Sequence, residues 1–144
     1  MKSIVKIIET ELTYPLRKEI LRKNIDLPYT FQGDFDEKTI HIGTYVNDEL
    51  VGITTLMPST NSLFEDSQYQ LRGMATSTNA RGLGIGKKIL EFAFTVLKEK
   101  NITTLWCNAR EIAVPFYEKS GFNIMGDLFM VDKVGPHYVM SIQL

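Results

Sequence analysis

Apolar positions recur along this chain with two different periods, and the places where the period changes mark its elements. Residues 3–8 read as a first strand. Pro15 suits the opening turn of a helix over 16–22, in which Leu16, Ile20 and Leu21 share a face. Residues 24–38 are polar and irregular, with Pro28, Gly33 and the acidic group Asp34, Asp36 and Glu37. Two strands, 39–46 and 50–57, flank Asn47-Asp48, a hairpin turn signal. A Ser- and Asn-rich loop, 58–66, leads to a fourth strand over 68–76. The strongest helical period covers 85–98, where Ile85, Ile89, Phe92, Ala93, Val96 and Leu97 fall on one side and Lys87, Lys88, Glu91 and Lys98 on the other. A strand follows at 103–108. The next helix, 111–119, starts near Ile112, because Pro115 is tolerated only in a first turn, and Gly121 stops it. Strands at 122–130 and 137–142 close the chain.

The order β-α-(α)-β-β-β-α-β-α-β-β gives an α/β fold: a mixed, twisted, mostly antiparallel sheet with helices on both faces. Crossover helices after the fourth and fifth strands imply parallel pairing there, and hairpins imply antiparallel pairing elsewhere. No repeat or linker divides residues 1–144, so a single domain is expected.

Composition narrows the function. Apolar residues are 44% and charged residues 23%, as in ordinary globular proteins. The net charge of −1, with no basic stripe, argues against a nucleic-acid or anionic-membrane partner. No apolar run has the length of a membrane span, and residues 1–9 lack the unbroken apolar core of a signal peptide. Cys107 is the single cysteine and cannot form an internal disulfide; beside Leu105 and Trp106 it reads as packing in a buried strand and fits a reducing cytoplasm. His41 and His137 are the only histidines, and no metal-ligand spacing is present, so no metal is expected.

The chemistry concentrates after the fourth strand. Gly82, Gly84 and Gly86 open the 85–98 helix, whose first N–H groups lack intrahelical partners and carry the positive end of the helix dipole. Such a loop can hold a phosphate; the alternative is a tight strand-to-helix turn using glycine for positive φ. The dinucleotide fingerprint fails at Ile89, where its third glycine belongs. A Walker loop fails at Arg81 and Lys88. What remains is Arg81-x-x-Gly84-x-Gly86.

Arg81-Gly82-Leu83-Gly84-Ile85-Gly86 after a β segment resembles motif A of the GNAT superfamily of N-acetyltransferases. About thirty residues on, Ala113-Val114-Pro115-Phe116-Tyr117-Glu118-Lys119-Ser120-Gly121-Phe122 resembles that family's second hallmark. The combination of Asp34, His41, the Leu71-Arg72-Gly73-Met74-Ala75 strand and Gly135-Pro136-His137 is similar to the branch that includes the ElaA-type proteins.

The resemblance implies acetyl-CoA as cofactor, with its pyrophosphate on the backbone from Gly82 through Leu83, Gly84, Ile85 and Gly86 to Lys87, and with charge from Arg81 and Lys87. It implies a splayed pair of fourth and fifth strands, with Met74, Ala75 and Thr76 pairing the pantetheine amides. Asn108, Arg110 and Phe116 would border the cofactor, although Arg110 stands where the family usually has Asn. Tyr117 falls where these enzymes keep the acid that protonates the leaving thiolate. Asp34, His41, Arg72 and His137 would line the acceptor side. No one base is singled out: the fourth strand offers Gln70 and Arg72 where many relatives have Glu, leaving His41, His137, Asp34, Glu111 or a water chain.

The expected activity is transfer of an acetyl group to a primary amine of a small molecule or protein, by a monomer or homodimer. Loops 24–38 and 58–66 would shape the acceptor pocket, and the acidic cluster in the first could attract a cationic amine or simply be a solvated loop. The competing readings are a module that binds acyl-CoA without turnover, and a nucleotide-binding α/β domain without acyl chemistry.

Overall fold

The computed structural model describes residues 2–144. Seven strands form one sheet in the order β1-β2-β3-β4-β5-β7-β6: β1 (Ser3–Ile8), β2 (Ile40–Val46), β3 (Glu49–Met57), β4 (Gln68–Thr76), β5 (Thr104–Arg110), β6 (Asn123–Val131) and β7 (Gly135–Gln143). Every neighbouring pair is antiparallel except β4 and β5. The Asn47-Asp48 turn joining β2 to β3 has positive φ at both residues, 49° and 68°, as a two-residue hairpin with right-twisted strands requires.

The parallel pair follows the expected crossover through α2 (Ile85–Glu99). The second expected parallel pairing does not form. After α3 (Val114–Lys119), β6 takes the sheet edge and β7 inserts antiparallel between β5 and β6. The hairpin closes this end of the sheet, since β7 pairs with both neighbours while β6 covers its outer side.

Helix α2 buries Ile85, Ile89, Leu90, Ala93 and Leu97 against the sheet; Phe92 and Val96 pack only partly, and Leu90 takes the central place instead. Each fully buried Ile or Leu contributes about 1.5–3 kcal/mol of transfer free energy. The expected 16–22 helix starts earlier and changes pitch. A 3₁₀ turn (Thr10–Thr13) leads into one α turn, α1 (Tyr14–Leu16), and then a π turn (Arg17–Leu21), marked by the Arg22 N–H donating to the Arg17 carbonyl five residues back. A second small core, Ile8, Leu16, Ile53 and Ala75, seats this segment on the sheet. The helix before β6 likewise begins as a 3₁₀ turn (Glu111–Ala113), with Pro115 in the first turn of α3. No described helix is long and apolar enough to cross a membrane.

Candidate active site

The parallel pair β4–β5 is in register from Gln68↔Thr104 to Leu71↔Cys107 and then stops, although β4 runs on to Thr76 and β5 to Arg110. The cause lies in β4. Its pairing with β3 shifts between Ile53 and Thr55, and Gly73 within that bulge has φ +64°. A bulge bends its strand and increases its twist, so β4 turns away from β5. Beyond Leu71 the β4 edge that faced β5 is unpaired, and an extended ligand can add to such an edge as a strand would.

The fork opens a cleft of about 990 Å³. Of the expected cofactor residues, Met74, Ala75, Thr76, Arg81, Gly82, Gly84, Ile85, Gly86, Lys87, Asn108, Arg110 and Phe116 all border it, and so do Tyr117, Arg72 and His137. Leu83 does not; its side chain is exposed on the outside of the loop.

The three glycines of the loop prove to have different jobs. Gly82 and Gly84 have φ +82° and +74°, and a Cβ on either would meet no atom within 4 Å. They combine a left-handed backbone with open space in front of the α2 N-terminus, where an anion can meet free N–H groups. Gly86 is helical, and a Cβ there would come within 2.8 Å of two ring carbons of Phe116. Its glycine is demanded by packing, and the contact joins the loop to α3.

Tyr117 is held by edge-to-face contacts with Phe116 and Phe122, at centroid distances of 5.0 and 5.3 Å. Burial, with a smaller contribution from the neighbouring Cys107, pushes its phenol well above the ordinary tyrosine range. The hydroxyl therefore stays protonated. The Cys107 thiol, buried in β5, is pushed up to about 12 by desolvation, which makes it inert as a nucleophile. His137 pairs with Arg110 across β5–β7 and packs against Phe129. Its Nδ1 lies 2.8 Å from the Gly135 carbonyl. A carbonyl only accepts, so Nδ1 carries a proton and donates it.

Asp34 and His41 are not on the acceptor side; this expectation is corrected. Asp34 accepts from Arg17 Nη1 at 2.8 Å and Nη2 at 2.9 Å, and from the Phe31 N–H at 2.9 Å, with both side chains of the ion pair buried. His41 Nε2 donates to the Asp34 carbonyl at 2.9 Å, so Nδ1 accepts from the Thr55 hydroxyl at 2.8 Å, and Thr55 Oγ1 in turn accepts from Arg17 Nη2 at 2.9 Å. Burial holds the His41 pKa below the ordinary histidine value, which suits the neutral ring this chain of bonds requires. The network ties the helical segment to β2 and β3. Asp34, Asp36, Glu37 and His41 border a different, smaller depression beside β1.

Loop 24–38 does supply cleft wall, through Leu27, Pro28, Thr30, Phe31 and Gln32; loop 58–66 supplies none. Arg22 and Phe31 are among the wall residues that the sequence did not single out. An aromatic inside a polar loop was the available signal. Among the described residues no group of three or more His, Cys, Asp or Glu is placed to hold a metal.

Comparison with known proteins agrees with this geometry. The model of the GNAT acetyltransferase family matches residues 2–122. The chain is 33% identical over 138 residues to a Bacillus subtilis (strain 168) protein described as the uncharacterized N-acetyltransferase YitI, covering 94% of this chain and 93% of that one. Among solved structures it is similar to Escherichia coli ElaA, with TM-score 0.80, 17% identity and coverage of 97% and 99%. It is also similar to an aminoglycoside 6′-N-acetyltransferase complexed with coenzyme A, with TM-score 0.75, 14% identity and coverage of 97% and 96%. At these identities the two structures speak for the fold.

Proposed function

This chain belongs to the GNAT acetyltransferase family, and on that premise we propose that it is an acetyl-CoA-dependent N-acetyltransferase acting on a primary amine of a small molecule or protein. One observation carries the reading. A single continuous cleft runs from the open, left-handed loop at Gly82 and Gly84 to a buried, protonated tyrosine at the strand fork.

The residues present fit the cofactor. The backbone from Gly82 to Lys87 would hold the pyrophosphate, helped by Arg81 and Lys87, and the unpaired β4 edge at Met74 to Thr76 would hold the pantetheine arm. Asn108 and Phe116 border the same channel. Acetyl-CoA, when bound, supplies the acyl group as a thioester. The residues of the chain then divide the proton work. Tyr117 Oη would hold the proton needed by the leaving sulfur. On the acceptor side, His137 borders the cleft with its Nδ1 engaged on the Gly135 carbonyl, and its Nε2 would take the proton from the attacking amine. A backbone N–H on the unpaired stretch of β4 near Met74 would polarise the thioester carbonyl.

The test is calorimetric titration with acetyl-CoA, CoA, ATP and NAD in parallel, followed by a thiol assay for CoA release with a panel of amines. Micromolar binding of acetyl-CoA with amine-dependent release of CoA is the expected result. Binding without release from any amine would leave an acyl-CoA-binding module. Preference for ATP or NAD would overturn the reading altogether.

A further inference from the structure

Three guanidinium groups from three separate elements meet at the end of the cleft away from the phosphate loop. Arg22 follows the π turn, Arg72 lies on β4 and Arg110 ends β5. Arg110 Nη2 and Arg22 Nη1 both donate to the Leu21 carbonyl, at 3.2 and 3.3 Å. Arg72 stacks on the ring of Phe31 at 4.1 Å, and Arg22 lies 5.8 Å from the same ring. Arg17 covers Phe31 too, at 3.9 Å, but its charge is already met by Asp34.

None of the other three forms an ion pair. The ion pairs among the described residues are Arg17–Asp34 and Lys133–Asp26. Both Asp34 oxygens are taken up by Arg17 and the Phe31 N–H. No Asp or Glu borders the cleft. Among the described residues the Arg72 guanidinium has no protein acceptor at all. Burial lowers the pKa of Arg72 and of Arg22; the neighbouring cations Arg17 and Arg22 add to this at Arg72, where Asp34 offsets it only in part, and Arg110 and Arg17 add to it at Arg22. Like charges gathered in a half-buried cleft are unfavourable unless an anion offsets them. The phosphates of the donor do not meet this need: Arg72 precedes Thr76 by four residues, roughly 13 Å along the strand, and the loop with Arg81 and Lys87 lies beyond that.

We propose that Arg72, Arg22 and Arg110 receive a carboxylate on the acceptor, so that the substrate is an aminocarboxylate. Planar guanidinium forks match a carboxylate in two parallel hydrogen bonds. Ile20, Leu27, Pro28, Val131 and Val134 border the same cleft and offer apolar surface to the body of such an acceptor. The inference rests on the acyltransferase reading for the amine. It runs against the option of a cationic acceptor drawn by loop 24–38, because Asp34, Asp36 and Glu37 lie at the other depression.

The experiment compares paired acceptors in the CoA-release assay: L-phenylalanine with L-phenylalaninamide, 6-aminohexanoate with hexylamine, and 2-aminoethyl phosphate as the phosphate arm. The carboxylates should exceed their neutral partners by roughly tenfold to hundredfold in kcat/KM, the range of one or two hydrogen bonds to charged groups. Arg72→Gln should remove most of that ratio by raising KM for the carboxylate alone, and Arg72→Lys should restore part of it. In parallel, calorimetry on the CoA-saturated protein compares N-acetyl-L-phenylalanine with its amide. Binding of the acid alone, without any turnover, would retain the carboxylate site while sinking the acyltransferase reading. Equal use and equal binding of acids and amides, binding of neither, or preference for 2-aminoethyl phosphate would overturn the carboxylate assignment.

Discussion

Replacing Asp34 with asparagine keeps the shape of the side chain but removes the charge opposite Arg17, which is 0% exposed. Two charge-assisted bonds from Arg17 and one from the Phe31 N–H end on this carboxylate, at 2.8–2.9 Å. Arg17 already has an unpaired buried Nε, and the partners left to the guanidinium, the Tyr29 carbonyl and the Thr55 hydroxyl, carry no charge to offset it. Breaking a buried ion pair from one side costs about 3–5 kcal/mol. For a chain of this size that lowers Tm by roughly 10–20 °C. The pH dependence has a definite sign. Burial opposes the Asp34 charge, but the hydrogen bonds from Arg17 and Phe31 and the charge of Arg17 outweigh it and hold the carboxyl below its usual range. Its contribution is therefore fully present above the unfolded carboxylate pKa, about 3.9, and fades as pH falls through the lower folded value. The gap between wild type and Asp34→Asn should be widest near pH 7 and shrink in acid, as followed by thermal melts monitored by circular dichroism. Acetyl-CoA affinity should hold, while the acceptor KM rises because Phe31 loses its anchor. Thr55→Val breaks the same network more gently, at about 1–3 kcal/mol, and covers the case in which Asp34→Asn does not fold. An Asp34→Asn protein that melts within 2 °C or so of wild type yet loses acceptor affinity would refute the reasoning and return Asp34 to the substrate.

Two further outcomes are expected. Tyr117→Phe keeps the packing against Phe116 and Phe122 and should lower kcat by about 10²-fold or more with CoA affinity unchanged; stopped-time CoA release at saturating donor reads this, and an unaltered kcat would reduce Tyr117 to a core residue. Gly86→Ala gains up to about 1 kcal/mol of helix propensity but drives a methyl group into the Phe116 ring, at a cost of about 1–3 kcal/mol, so Tm and kcat should both fall. Adding Phe116→Leu should recover part of the loss, and strictly additive effects in that cycle would mean the two side chains do not meet.

Most elements were legible because local chemistry writes them. β1 and β4 fall at the expected residues, and α2 extends its expected range by one. Asn47 and Asp48 turn because short polar side chains tolerate positive φ, and Gly121, at φ +101°, ends α3 for the same kind of reason. The loop after β4 could be placed at a helix N-terminus from its glycines and the period change alone, and its likeness to a known family named the donor to be tested.

Tertiary structure decided everything that depends on which distant segments meet. Periodicity gives a strand its faces but not its neighbours, so the insertion of β7 between β5 and β6, and the end of β4–β5 pairing at Leu71, could not be read locally. Gly86 looked like a third phosphate glycine until Phe116, thirty residues away, was found against it. Charge was the largest change. Asp34 had the composition of a cation-attracting loop, yet Arg17 from the helical segment takes up its carboxylate, and the cleft is left with four arginines and no acid. An ionic side chain acquires its role from the partner that desolvates with it, and that partner is chosen by the fold.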